Sequence, residues 1–241
     1  MKLSGENMNA LVISLRDRGF TLVEVLVAIV ITLLLLSGVY TSFISQQEVY
    51  SAQQGVADMQ QNLRGSTYLM QREIRMAGYN PTGNADSRFL TANADNIKFT
   101  SDIRGDAAGS APDGDVADPG ETISYYLWDC DGDGDTDLRR QDDTVTLADP
   151  STPIEQIAAE NIDAIEFLYF DKDGNQTAVF EDIRMVQITQ VSHTDKRENN
   201  YTDNKVYKNK QGTTIFTPTG NNVKYRHRVT CTMVKCKNMG L

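Results

Sequence analysis

The sequence has little of what most enzymes and nucleic-acid binders need. Two histidines in 241 residues are too few for a histidine-rich metal site. The three cysteines, Cys130, Cys231 and Cys236, form no CxxC pair, which excludes a zinc ribbon. No GxSxG, HExxH or phosphate-binding loop occurs, so no catalytic constellation is visible and the chain does not read as an enzyme. A formal net charge of −10 lacks the basic excess by which proteins hold a phosphate backbone, so no nucleic-acid partner is expected. What the chain does have is 40% hydrophobic and 23% charged residues, enough for most of it to fold. Its length suits one ordinary domain beside a membrane segment.

That segment is Phe20–Val39, an apolar run interrupted by one acid, Glu24. As a helix it spans about 30 Å at ~1.5 Å per residue, matching a bilayer's hydrocarbon core. Lys2, Arg16 and Arg18 precede it, which places residues 1–18 in the cytoplasm and the rest outside. A secretory signal peptide has a shorter apolar core and a small-x-small cleavage site; here the run is longer and "SGVYTSF" supplies no such site. A carboxylate at mid-bilayer costs ~2.5–3.5 kcal/mol. Glu24 lies nearer the edge, but a plain anchor still leaves it unexplained. A cut between Gly19 and Phe20 creates an α-amine four positions away, one helical turn from the carboxylate. In a dry bundle, such a pair on one chain or between neighbours fixes axial register, because a slip strands a charge in apolar surroundings.

The stretch "RGFTLVEVLVAIVI" resembles the prepilin signature of type IV pilins and type II secretion pseudopilins: a basic leader ending in glycine, then Phe-Thr-Leu-x-Glu and an apolar helix. The resemblance implies a pilin-like α+β fold, a long N-terminal helix packed against an antiparallel β-sheet head. It implies cleavage after Gly19 by a membrane prepilin peptidase, N-methylation of Phe20, and docking of Glu24 onto a neighbour's amine. The expected organisation is a leader over 1–19, a membrane and filament-core helix over 20–40, an amphipathic extension over 41–79 and an extracytoplasmic head over 80–241. Many major pilins carry a proline about twenty residues into the mature helix; this chain has Thr41, with Gly38 nearby to permit local opening.

Beyond the membrane run, Val49, Ala52, Val56, Met59, Leu63, Met70, Ile74 and Ala77 keep a helical period broken at Thr67, and Gly78 and Pro81 supply a stop. The C-terminal half of this stripe is expected to pack on the head. Period-two runs then predict strands at 97–100, 122–128, 136–140, 164–170, 183–191 and 223–233. In the last of these, Val223, Tyr225, Val229, Cys231 and Met233 share a face. Strands following one helix make an α+β domain. The polar stretches 104–121 and 193–212 read as mobile loops. "ISYYLWDCDGDGDTDLRRQ", "IAAENIDAIEFLYFDKDGN" and the ending "YRHRVTCTMVKCKNMGL" resemble PilW-type minor pilins, and in the middle also GspJ-type pseudopilins.

"DCDGDGDTD" sets Asp129, Asp131, Asp133, Asp135 and Asp137 at alternate positions. Against a calcium-loop template, Asp129, Asp131 and Asp133 take positions one, three and five. Gly134 takes the turn, Asp135 offers its carbonyl and Asp137 falls at nine. Position twelve is Arg140, with Asp142 or Asp143 as substitutes, so bound Ca2+ of low affinity is the expectation. The alternative is a solvated Asp-Gly hairpin turn, and the shorter "DKDGN" at 171–175 reads that way. An extracytoplasmic head can hold disulfides. Cys231 and Cys236 would lie roughly 17 Å apart on one continuous strand, too far to bond. They pair only if the strand breaks; otherwise Cys130 pairs with one of them. His193 and His227 read as structural.

The PilW resemblance implies a minor pilin of the inner membrane and then of the pilus, at its tip. There it would prime or cap pilus assembly and so support adhesion, twitching motility or DNA uptake. The implied partners are other minor pilins and the major pilin through the N-terminal helix, the prepilin peptidase, the inner-membrane assembly platform and a large tip adhesin. The rivals are a GspJ-like pseudopilin of type II secretion and, in a different class, a membrane-anchored calcium-dependent binding module that never polymerises.

Overall fold

A computed structural model describes residues 19–106, 109–129, 132, 134–146 and 153–240. Helix α1 runs Leu22–Ile74. The chain divides into a first unit ending at Tyr50 and a head beginning at Ser51. The head therefore starts within the helix and not at residue 80, because the second half of α1 supplies part of its core. Among the described residues, α1 is the helix long and apolar enough to cross a membrane.

In the first unit, Val23–Val39 offers solvent an apolar surface with no buried residue. Its hydroxyls bond back to their own helix: Thr32 Oγ1 to the Ala28 carbonyl at 2.7 Å, Ser37 Oγ to Leu34 and Thr41 Oγ1 to Ser37, both at 2.8 Å. Each polar group is thus satisfied internally, as a hydrocarbon environment requires. The helix passes through Gly38 and Thr41 without a break.

In the head, α1 buries Met59, Leu63, Met70 and Ile74, with Ala77 just beyond, on the expected stripe. Its polar gap has a partner: Ser66 Oγ donates to Gln190 Oε1, and Gln190 Nε2 donates to Thr67 Oγ1, each at 3.0 Å. Past the helix, Gly78 adopts φ +78°, and a Cβ there would stand 2.5 Å from Met239 Sδ. Only glycine suits that stop.

Five antiparallel strands follow in sequence order as one sheet: β1 (Phe89–Ala92), β2 (Ile97–Thr100), β3 (Thr122–Trp128), β4 (Asp137–Thr146) and β5 (Pro153–Ala159). A second antiparallel sheet orders β10 (His227–Lys235), β7 (Met185–His193) and β6 (Ile162–Phe170), with β7 central. A hairpin of β8 (Tyr207–Lys208) and β9 (Thr214–Phe216) lies between β7 and β10 in the chain. One apolar cluster joins the stripe of α1 to Phe89, Ile97, Phe99, Ile123, Tyr125 and Leu138 of the first sheet and to Phe167, Val186 and Ile188 of the second. The α+β expectation holds: a long N-terminal helix packs on antiparallel sheet.

Two loop expectations are corrected. Segment 193–212 is pinned, not loose. Asp203 is 1% exposed, Lys224 Nζ donates to the Asn199 and Tyr201 carbonyls, and Arg226 grips Glu198 through two nitrogens. Its polar residues spend their hydrogen bonds on the loop's own backbone, which composition alone does not show. Segment 104–121 is anchored by Glu121, which is fully buried. Its Oε1 accepts from the Ile103 and Arg104 amides at 2.8 and 3.1 Å, and its Oε2 from the Asp118 amide at 3.1 Å.

The bounds of the last strand are corrected: it begins at His227, and the face that Val229, Cys231 and Met233 share is the one turned away from α1. Gln71 Nε2 reaches Thr232 Oγ1 at 2.6 Å, so the Thr230–Thr232 side faces α1, and Val234 is buried. Val229, Cys231 and Met233 lie on the other side, with Met233 41% exposed. A short 3-10 turn at Gly220–Lys224 precedes this strand and keeps Val223 out of it.

Candidate processing and assembly site

Gly19 and Phe20 are exposed and lie outside regular structure, just before α1 begins at Leu22. Residues 1–18 of the leader lie outside the described residues. Thr21 caps the helix. Its Oγ1 accepts from the Glu24 amide at 3.2 Å, while its own amide and hydroxyl both donate to Glu24 Oε2 at 2.8 Å. This is a capping box, with the carboxylate in the first turn where the helix dipole favours it. Glu24 thus already has a partner within its own uncut chain. Both bonds land on Oε2, and among the described residues no donor reaches Oε1. The Thr-x-x-Glu signal was present in the sequence as Thr21 and Glu24.

The acids of 129–137 do not converge among the described residues. Asp129 folds back on its own turn, accepting from the Gly132 and Gly134 amides at 2.7 and 3.2 Å. Asp135 faces His193, with Oδ2 3.5 Å from Nε2. Asp137 is buried at the start of β4 and accepts from the Asn161 amide at 3.1 Å, holding the β5–β6 turn. Asp131 and Asp133 lie outside the described residues. The twelfth position is committed elsewhere. Arg140 Nε sits 3.0 Å from Glu73 Oε2 of α1, and that carboxylate also takes the Tyr125 hydroxyl. Asp143 pairs with Lys98 at 2.8 Å, and Asp142 is buried, bonded to Thr144. From Asp137 onward the chain is an extended strand, so successive side chains alternate between the two faces of the sheet.

Cys231 and Cys236 are both free thiols, which corrects their candidacy for a mutual disulfide; Cys130 lies outside the described residues. Cys236 is in the core, where burial pushes its thiol up to about 12 against the pull of Arg184. Such a thiol is protonated and inert at neutral pH.

His193 and His227 come together under the segment that follows β7. Their ring centroids are 5.9 Å apart, and the Asp163 carboxylate lies between them, with Oδ2 3.1 Å from His193 Nδ1 and 3.6 Å from His227 Nε2. A bulge between Ile162 and Ala164 turns Asp163 toward them. Asp203 faces His227 Nδ1 at 3.0 Å and accepts from the Tyr207 hydroxyl at 2.6 Å. Burial opposes a charge on His193, but Asp163 and Asp135 outweigh it and hold its pKa above the ordinary value. No nucleophile adjoins the pair in these contacts. It locks a polar core, and the sequence carried no signal for it, since its members are scattered from Asp135 to His227.

Residues 14–40 match the family model of the prokaryotic N-terminal methylation motif. No match is found among curated proteins. Among solved structures, the chain is similar to the type IV-like pilin TTHA1219 from Thermus thermophilus. The identity is 11% and the TM-score 0.43, with 75% of this chain and 97% of that one covered.

Proposed function

We propose that this chain is a non-enzymatic filament subunit, cut between Gly19 and Phe20, N-methylated on Phe20, and built into a pilus as a PilW-type minor pilin. The observation that carries the reading is the methylation motif over residues 14–40, set on an exposed site before a capped, apolar helix. Type IV pilin-like proteins assemble with other pilins after a peptidase has acted. Here the apolar face of α1 meets neighbouring helices in membrane and filament. The free oxygen of Glu24 takes a neighbour's methylated amine, and the head is displayed outside. The PilW assignment rests on the resemblance of "YRHRVTCTMVKCKNMGL", and with it come priming of assembly at the tip, the assembly platform and a tip adhesin as partners.

Deletion of the gene tests the role. Surface pili fall, and the native chain restores them. Glu24→Ala still inserts in the membrane but is depleted from sheared filaments. Normal piliation in the deletion strain contradicts priming. Lost protein secretion with piliation intact assigns the chain to a secretion pseudopilus instead.

A further inference from the structure

The acids of segment 104–121 form the densest carboxylate group in the head outside 129–137. Asp118 belongs to two triads: Asp106–Asp113–Asp118 and Asp115–Asp118–Glu121. Within each, one oxygen per residue lies within 4.8 Å of the others. Calcium binds oxygens at about 2.3–2.6 Å, so ligands on opposite sides of one ion stand about 4.6–5.2 Å apart. Asp118 and Glu121 are buried, with 6% and 0% exposure, whereas Asp106, Asp113 and Asp115 are exposed. Buried carboxylates are ordinarily paired or hydrogen-bonded. Glu121 meets that rule through three backbone amides. Asp118 does not: its Oδ2 is buried without a hydrogen-bond partner, in the middle of four other acids.

We infer that segment 104–121 holds a calcium-sized divalent cation on Asp118, with Asp115 and Glu121 as co-ligands and Asp106 and Asp113 closing the outer side. The donors are all oxygen, which selects a hard cation over zinc or copper. The arrangement is irregular, which suits calcium's flexible coordination better than the strict octahedron of magnesium. Glu121 is held by the amides of both loop ends, so the ion ties Asp106, Asp113 and Asp115 to a fixed post.

The site differs from the Asp129–Asp137 loop, and one experiment separates them. The full-length chain in detergent, stripped with chelator, is titrated with CaCl2, and its thermal unfolding is followed with chelator and with calcium. Saturable binding and an upward shift in Tm are expected. Asp118→Asn relieves a buried repulsion and loses a ligand, so it should unfold above the native chain in chelator and below it in calcium, with affinity at least tenfold weaker. Asp115→Asn, at an exposed position, should weaken calcium binding without altering the chelator Tm, and it carries the test if Asp118→Asn fails to fold. Asp129→Asn should bind as the native chain does. Absence of calcium binding overturns the inference. So does binding that survives Asp115→Asn and Asp118→Asn but is lost in Asp129→Asn.

Discussion

Glu24 completes the capping box with Thr21 through Oε2, and under the proposed assembly its second oxygen receives a neighbour's amine. Removing the cap should cost about 1 kcal/mol of helix start. Thr21→Ala is therefore expected to speed hydrogen exchange at the Glu24 amide in micelles; unchanged exchange would mean that the cap is idle. A second residue-scale test concerns Glu73, which holds both Arg140 and the Tyr125 hydroxyl at the helix–sheet contact. Glu73→Leu strands a mostly buried guanidinium, and a loss of about 2–3 kcal/mol is expected in urea unfolding, below the ~3–5 of a fully buried pair. Adding Arg140→Leu should recover at least half of it. If the double variant is no better than the single, the pair is not coupled. The sequence displayed Glu24 and the proposed cut site openly, because a charge in an apolar run is visible without any fold. Asp163 and Gln190 act through partners far away in the chain, as does Asp203 through His227, and nothing local marked them.

Among the elements, α1 was readable because period and composition act together, β2 because Ile97 and Phe99 alternate with polar residues, and β3 because it is dense in β-branched and aromatic residues. β1 (FLTA) is short and does not alternate, and β5 opens on Pro153, so neither announced itself. The strand β7 has eight successive buried residues, four of them Gln, Thr or Ser and one His193. Its two faces meet α1 on one side and the 193–212 segment on the other, through bonds such as Gln187 to Gln211 at 2.8 Å. That segment looked loose because its polar residues were counted as solvated. The histidine core beneath it predicts a pH response. His193 titrates higher when folded than its ordinary 6.5. Its contribution is complete below about pH 6.5 and is lost as pH rises through the folded value. The Tm gap between the native chain and His193→Gln should therefore narrow from about pH 5.5 to 9. A gap that widens over that range would contradict the charged, carboxylate-held state. Using the difference between the two chains removes the shared contribution of Asp118 and Glu121, whose carboxyls are also raised by burial.

For the whole molecule, the account requires one covalent event, because the proposed pairing of Glu24 between subunits needs an amine that exists only after cleavage. The measurement is the intact mass and N-terminus of the chain taken from cells with an active prepilin peptidase. A species beginning at N-methylated Phe20 is the predicted result. A chain that still begins at Met1, while the same peptidase processes another prepilin in those cells, would contradict the filament-subunit reading and leave α1 as an ordinary membrane anchor.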